Sequence, residues 1–222
     1  MGYFIDAEST SLAALRERLQ STDLIPSQEP LLEGITEKIS ALDKAGIHSL
    51  ADLRANLKAS KSLTILSKSS GISEDYLVLL RRTIEGFFPK PRPFKGMDWL
   101  DKTVVRRLQQ AGLNNTQQLF EAWADRSPEI PGLDKKDLAE LVAISNLCRI
   151  QWVSPSYARA LVAAGFGNAS KIASADPEAL CAALEKVSRA SAYNTTQVWA
   201  ACKQGFHGPI SASDNWIAGI YR

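Results

Sequence analysis

The sequence predicts an all-α protein of tandem helical repeats, arranged in two lobes joined by a proline-rich linker. Three observations carry that prediction. A phrase of the form Leu, three residues, Gly, apolar occurs three times, as LDKAGI at 42–47, LQQAGL at 108–113 and LVAAGF at 161–166. A second phrase, in which Gly or Trp and an apolar residue precede Ser, Thr or Asp, recurs five times. Alternating apolar runs of the kind strands need are nearly absent, and one short extended segment is expected at Tyr3, Phe4 and Ile5.

Taken in order, residues 1–30 form an N-terminal arm with a short helix. The arm is acidic, with two Arg against five Asp and Glu. The first lobe covers 31–88, where Ile35, Ile39 and Leu42 fall at helical spacing before Gly46. Residues 89–95, overlapping FFPKPRPF at 87–94, hold three prolines and read as the linker. The second lobe, 96–222, repeats the pattern twice. Leu100, Val104 and Leu108 lead to Gly112, and Val153, Tyr157 and Leu161 lead to Gly165, before a C-terminal helix carrying Trp216.

Each repeated glycine reads as the left-handed residue that ends a helix, because a side chain there would strain the backbone. A further short helix is expected after each, in SLADLRANL, NTQQLFEAW and ASKIASA. Seven residues beyond each glycine stands an aliphatic residue, Leu53, Leu119 and Ile172, so the repeats share one register. The five-fold phrase marks helix starts, with Thr36, Ser73, Asp98, Asp134 and Ser154 as N-caps. Pro155 and Pro177 fit the first helical position, where a missing N–H costs nothing.

Bulk composition limits the function. At 222 residues and 45% hydrophobic, the chain can bury a sizeable core. No apolar run reaches the ~18 residues of a membrane span, and MGYFIDAEST lacks the basic-then-apolar order of a secretory signal. A cytoplasmic protein without membrane partners is expected. Cys148, Cys181 and Cys202 form no CxxC pair and read as free structural thiols, and His48 and His207 complete no metal site with them. Without a glycine-rich nucleotide loop, a metal cluster or a histidine beside a plausible nucleophile, no catalysis, cofactor or small-molecule substrate is expected. The five tryptophans, Trp99, Trp123, Trp152, Trp199 and Trp216, are spread along the chain without interleaved basic residues and read as packing groups. Trp216 could also dock against another lobe or copy.

Helix, tight glycine turn, helix, clearest in IPGLDKKDLAEL at 130–141, resembles the helix-hairpin-helix motif of DNA repair and recombination proteins. Residues 132–180 are similar to a bacterial family catalogued as a domain of unknown function, and the start and the tail GPISASDNWIAGI extend that likeness along the chain. The motif implies non-sequence-specific contact with a nucleic-acid backbone, through amides at the hairpin and the following helix N-terminus. The sequence departs from it wherever a second glycine is usual, since Ser, Thr or Asp stands there. A side-chain cap takes the amides a phosphate would use, and at Asp98 and Asp134 it adds repelling charge. At Trp152 the first glycine is missing too, which makes RIQWVSPSYARALVAAGF a packing element.

The candidate nucleic-acid contacts are Gly132 with Lys135 and Lys136, the linker cations Lys90, Arg92 and Lys95, and Arg149. Lys135 and Lys136 stand in a helix's first turn, where the dipole disfavours cations. Arg81, Arg82, Arg106 and Arg107 lie toward helix C-termini, which suit them. Net charge of +2 implies no polyanion by itself. Two partners therefore remain open, a nucleic-acid backbone and an unidentified protein held on a helical scaffold. Cations grouped on one face favour the first; interleaved acids favour the second.

Overall fold

The computed structural model describes residues 2–22, 24–151 and 153–190. Among them are eleven α-helices, two short 3-10 turns and no strand. The expected extended segment at Tyr3 to Ile5 joins no sheet, and the only β-like pairings among the described residues are single bridges, Ser11 with Ser49 and Pro93 with Asn115. The described residues divide into two compact units, 5–88 and 2–4 with 89–190.

In residues 5–88, α1 (Leu12–Ser21) is capped by Ser11 Oγ, which accepts the N–H of Ala14 at 3.1 Å. Its face of Leu12, Leu15 and Leu19 is buried. A 3-10 turn at Glu29–Leu32 leads into α2 (Ile35–Lys44), then α3 (Leu50–Lys58), α4 (Ser60–Ser70) and α5 (Glu74–Glu85). Helix α3 packs against α4 and α5, and α1 against α2. Leucines supply most of the interior, and Leu42, Leu50, Leu53, Leu57 and Leu77 have no exposed surface. Each such side chain contributes about 1.5–3 kcal/mol by leaving water. Tyr76 adds a polar tie, its hydroxyl donating to Leu31 O at 2.8 Å, and burial pushes its pKa up to about 12.

The second unit runs through a 3-10 turn at Phe94–Gly96, α6 (Lys102–Gln110), α7 (Thr116–Arg126), α8 (Lys135–Leu147), α9 (Pro155–Ala163), α10 (Ala169–Ala173) and α11 (Pro177–Ala190). Helix α8 packs on α7 and α9, and α11 on α9. Phe94, Met97, Leu108, Leu113, Leu119, Ile130, Leu138 and Leu141 form one buried cluster, against which Trp99 and Trp123 lie half-buried. Both prolines expected at helix starts stand there, Pro155 in α9 and Pro177 in α11. Cys148 is buried and its thiol is pushed up to about 12, so it stays protonated; Cys181 is half-buried. Cys202, His207, Trp152, Trp199 and Trp216 lie outside the described residues.

The three repeats close in the same way. Gly46, Gly112 and Gly165 have φ of +88°, +78° and +93°. The residue after each donates its N–H back five residues: Ile47 to Leu42 O at 3.1 Å, Leu113 to Leu108 O at 2.8 Å, Phe166 to Leu161 O at 2.8 Å. With the glycine N–H bonded three residues back in each case, this is a Schellman ending, which satisfies carbonyls that helix termini leave bare. Three residues past each glycine a polar side chain starts the next helix: Ser49, Asn115 and Asn168 accept the N–H of Asp52, Gln118 and Lys171. Asp52 returns a bond to Ser49 N, completing a capping box, and the hydrogen bonds with Ser49 and His48 hold its carboxyl below the usual range.

Two of the five expected N-caps are corrected. Ser73, Asp134 and Ser154 cap α5, α8 and α9 as expected, accepting the N–H of Tyr76, Lys136 and Tyr157. Thr36 lies inside α2, whose N-cap is Gly34 at φ +57° with no side-chain bond. The chain enters the helix directly after Gly34, two residues too early for Thr36 to cap it. Asp98 is likewise not a cap. Gly96 does not adopt positive φ, so the chain continues as a 3-10 turn and Asp101 starts α6 instead, accepting Thr103 N–H at 2.6 Å. That bond holds the Asp101 carboxyl below its ordinary value. Leu100 consequently precedes α6 rather than belonging to it.

The proline-rich segment is stitched into the second unit. Arg92 N–H donates to Thr116 Oγ1 at 3.0 Å, Thr116 N–H donates to Arg92 O at 3.0 Å, and Phe94 N–H donates to Asn114 O at 3.0 Å. Residues 10 and 50 are joined in the same manner in residues 5–88, by Leu50 N–H donating to Thr10 O at 2.8 Å. In both units an extended segment therefore braces the start of the second helix of a repeat.

Candidate nucleic-acid interface

The turn that carries Gly132, Lys135 and Lys136 lies between α7 and α8. Leu133 N–H donates to Ile130 O at 3.0 Å, closing a turn through Pro131 and Gly132, and Gly132 takes φ +75°. Asp134 then caps α8, its carboxylate 3.1 Å from Lys136 N. Lys135 and Lys136 follow on the exposed first turn. Lys135 Nζ lies 3.2 Å from Glu129 Oε1, with both side chains more than four-fifths exposed. Acids thus stand immediately before and beside the lysines, and Asp137 follows in the same turn.

Arg107, in the last turn of α6, reaches this turn from 25 residues away, donating from Nη1 to Gly132 O. A Cβ at 132 would fall 2.8 Å from its Cζ. The sequence placed Arg107 only at a helix C-terminus, and nothing in the linear pattern pairs it with Gly132. Gly132→Ala is expected to displace this flexible guanidinium rather than the backbone. The loss combines about 1 kcal/mol for the left-handed alanine with about 1 kcal/mol for the hydrogen bond. In the Arg107→Ala background only the first remains, so a double-mutant cycle by urea denaturation should show coupling of about 1 kcal/mol. Strict additivity would remove Arg107 from the turn.

The remaining candidates are distributed. Lys90, Arg92 and Lys95 are exposed along 89–96, with the Arg92 backbone tied to Thr116 as above. Arg149 follows the C-terminal end of α8, one 13-residue helix away from Lys135 and Lys136, a rise of roughly 20 Å. Its guanidinium is committed inside the fold: Nε donates to Tyr3 O at 2.9 Å, Nη1 to Asn146 Oδ1 at 3.1 Å, and Cζ sits 4.2 Å from the Phe120 ring centroid. The structure therefore groups Gly132, Lys135 and Lys136 at one turn, adds Arg107, and places Arg149 elsewhere. Among the described residues no group of three or more His, Cys, Asp or Glu is placed to hold a metal ion, and no helix is long and apolar enough to cross a membrane.

These features define an all-α protein of repeated helix pairs whose turns are closed by main-chain bonds and side-chain caps. Residues 100–203, a little under half of the chain, match the model of a family described as a domain of unknown function (DUF4332). No curated protein and no solved structure matches the chain.

Proposed function

We propose that the chain is a non-catalytic, cytoplasmic protein of tandem helix-hairpin-helix repeats that acts as a scaffold for a protein partner. The observation that carries this reading is the closure from within of the turn that holds Gly132, Lys135 and Lys136. A phosphate approaching α8 meets the Asp134 carboxylate at the helix N-terminus, Arg107 already donating to Gly132 O, and Lys135 beside Glu129. Helix amides attract phosphate when they are bare and the nearby charge is positive; here the amide is used and acids interleave the cations.

Weak, non-sequence-specific nucleic-acid binding is the second reading, favoured by α2, whose N-cap Gly34 supplies no side-chain acceptor, together with Lys136 and the exposed Lys90, Arg92 and Lys95. Fluorescence anisotropy with labelled single- and double-stranded oligonucleotides separates the two. The scaffold reading expects no saturable binding near physiological salt, and the same weak low-salt response from the native chain and from Lys135→Glu/Lys136→Glu. Micromolar binding that falls steeply with salt and disappears in the double variant would replace it with the nucleic-acid reading.

A further inference from the structure

Residues 5–88 contain a groove of about 620 Å³ between α3, α5 and the segment that precedes α1. One face of α3 forms its length, because Ala51, Arg54, Ala55 and Lys58 stand at i, i+3, i+4 and i+7. Ala7 closes the floor, its carbonyl accepting the N–H of Ala51 at 3.0 Å. Methyl groups alone cover that floor, so a ligand there meets little steric resistance. From α5, Arg81 and Glu85, one turn apart, supply the opposite wall.

Two of the three cations, Arg54 and Arg81, are held in place before any ligand arrives. Arg54 forks onto Glu85, Nε to Oε1 at 2.6 Å and Nη2 to Oε2 at 2.9 Å, with Cζ 3.8 Å above the Phe88 ring centroid. That arrangement fixes the guanidinium plane and leaves Nη1 outside both bonds. Arg81 Nη1 donates to Leu57 O at 3.3 Å, near the C-terminal end of α3. Lys58 is exposed in the last turn of α3 and acts on Glu85 by charge. The hydrogen bond from Arg54, then the charges of Arg54, Lys58 and Arg81, hold the Glu85 carboxyl below its ordinary value. Three cations thus surround one bonded carboxylate, and Glu8 at the rim offsets only one of the two charges left over.

We propose that this groove is a binding site for a phosphate-bearing small molecule, its phosphate held by Lys58, Arg81 and the Nη1 edge of Arg54 and its remainder resting on Ala7, Ala51 and Ala55. Guanidinium forks match the oxygen geometry of phosphate, and side chains ordered in advance lose little entropy on binding. The space lies within the ordinary range for small-molecule sites and exceeds what a lone phosphate fills. The site is independent of the scaffold reading, since it uses none of the turns on which that reading rests.

The test is a titration of the intact 15N-labelled chain with pyrophosphate, against sodium chloride at matched ionic strength. Saturable shifts confined to amides of 51–58 and 81–85 are expected, with affinity reduced roughly fivefold in Lys58→Ala. Lys58 is exposed, so that variant retains the fold; Arg81→Gln should weaken binding as well. Lys61→Ala, an exposed lysine on α4, should bind as the native chain does. Shifts reproduced by sodium chloride, shifts scattered over surface lysines, or unchanged affinity in both Lys58→Ala and Arg81→Gln would each overturn the proposal.

Discussion

Tyr3→Ala is expected to destabilise the protein by about 3–5 kcal/mol, the cost of deleting a packed aromatic side chain. Tyr3, the third residue of the sequence, is only 2% exposed. Its ring meets Phe4 and Phe120 edge-to-face at 5.1 and 5.9 Å, its carbonyl accepts from Arg149, and its hydroxyl lies 3.0 Å from Thr116 Oγ1. Burial pushes that phenol up to about 12, so it remains a neutral hydrogen-bonding group throughout the working pH range.

The same Thr116 oxygen accepts the Arg92 N–H, and Thr116 is fully buried. One hydroxyl therefore secures both the first residues of the chain and the proline-rich segment to α7. Truncating Tyr3 leaves a cavity and removes one of the two partners of that hydroxyl. Tyr3→Phe keeps the ring and loses only the bond, which should cost about 1 kcal/mol. Urea denaturation measures both. Amide exchange at Arg92 and Thr116 should accelerate in Tyr3→Ala beyond the global change. A Tyr3→Ala variant as stable as the native chain would mean that the N-terminal segment is not docked there.

Main-chain conformation was the most legible part of this fold. Gly46, Gly112 and Gly165 could be placed because the left-handed region excludes most other residues, which ties one residue type to one geometry. Caps were less legible because acceptable cap residues are common: Thr36 competed with Gly34, and Asp98 with Asp101 one helical turn later. Glycine conformation alone does not decide it: Gly34, Gly71 and Gly132 are all left-handed, yet α2 begins directly after Gly34 whereas Ile72 and Leu133 each intervene before the caps Ser73 and Asp134. Composition marked 89–95 as a linker, yet could not report that Phe94 is 1% exposed within a core.

Side-chain contacts between distant residues were illegible. Arg107 at Gly132, Arg149 at Tyr3 and Arg54 at Glu85 are separated by 25, 146 and 31 residues. Arg107 reads in sequence as a helix C-terminal cation and Arg149 as a nucleic-acid contact, yet these two and Arg54 are all used within the fold. At Arg107 and Arg149 that commitment weakens the nucleic-acid expectation more than net charge does, because a donor atom already bonded within the fold is not offered to a phosphate.

Leu108→Ala should cost about 2–5 kcal/mol, and the comparison with Gly112→Ala shows where the repeat derives its stability. Leu108 has no exposed surface and belongs to the cluster that includes Leu113 and Leu119. Its carbonyl accepts the Leu113 N–H that completes the helix ending, a main-chain bond that alanine can also make. Alanine is the better helix former, so helix propensity predicts a slight gain and packing a large loss; packing dominates because several buried methyl groups are removed. At Gly112 nothing lies within 4 Å of an added Cβ. Gly112→Ala therefore costs only the left-handed strain, about 1 kcal/mol. Thermal and urea denaturation of both variants give the order. If Leu108→Ala is the more damaging, the glycine sets where the helix ends and the leucine holds the repeat together. Equal losses would assign the stability to the turn itself, and the register shared by Leu42, Leu108 and Leu161 would then reflect chain direction rather than packing.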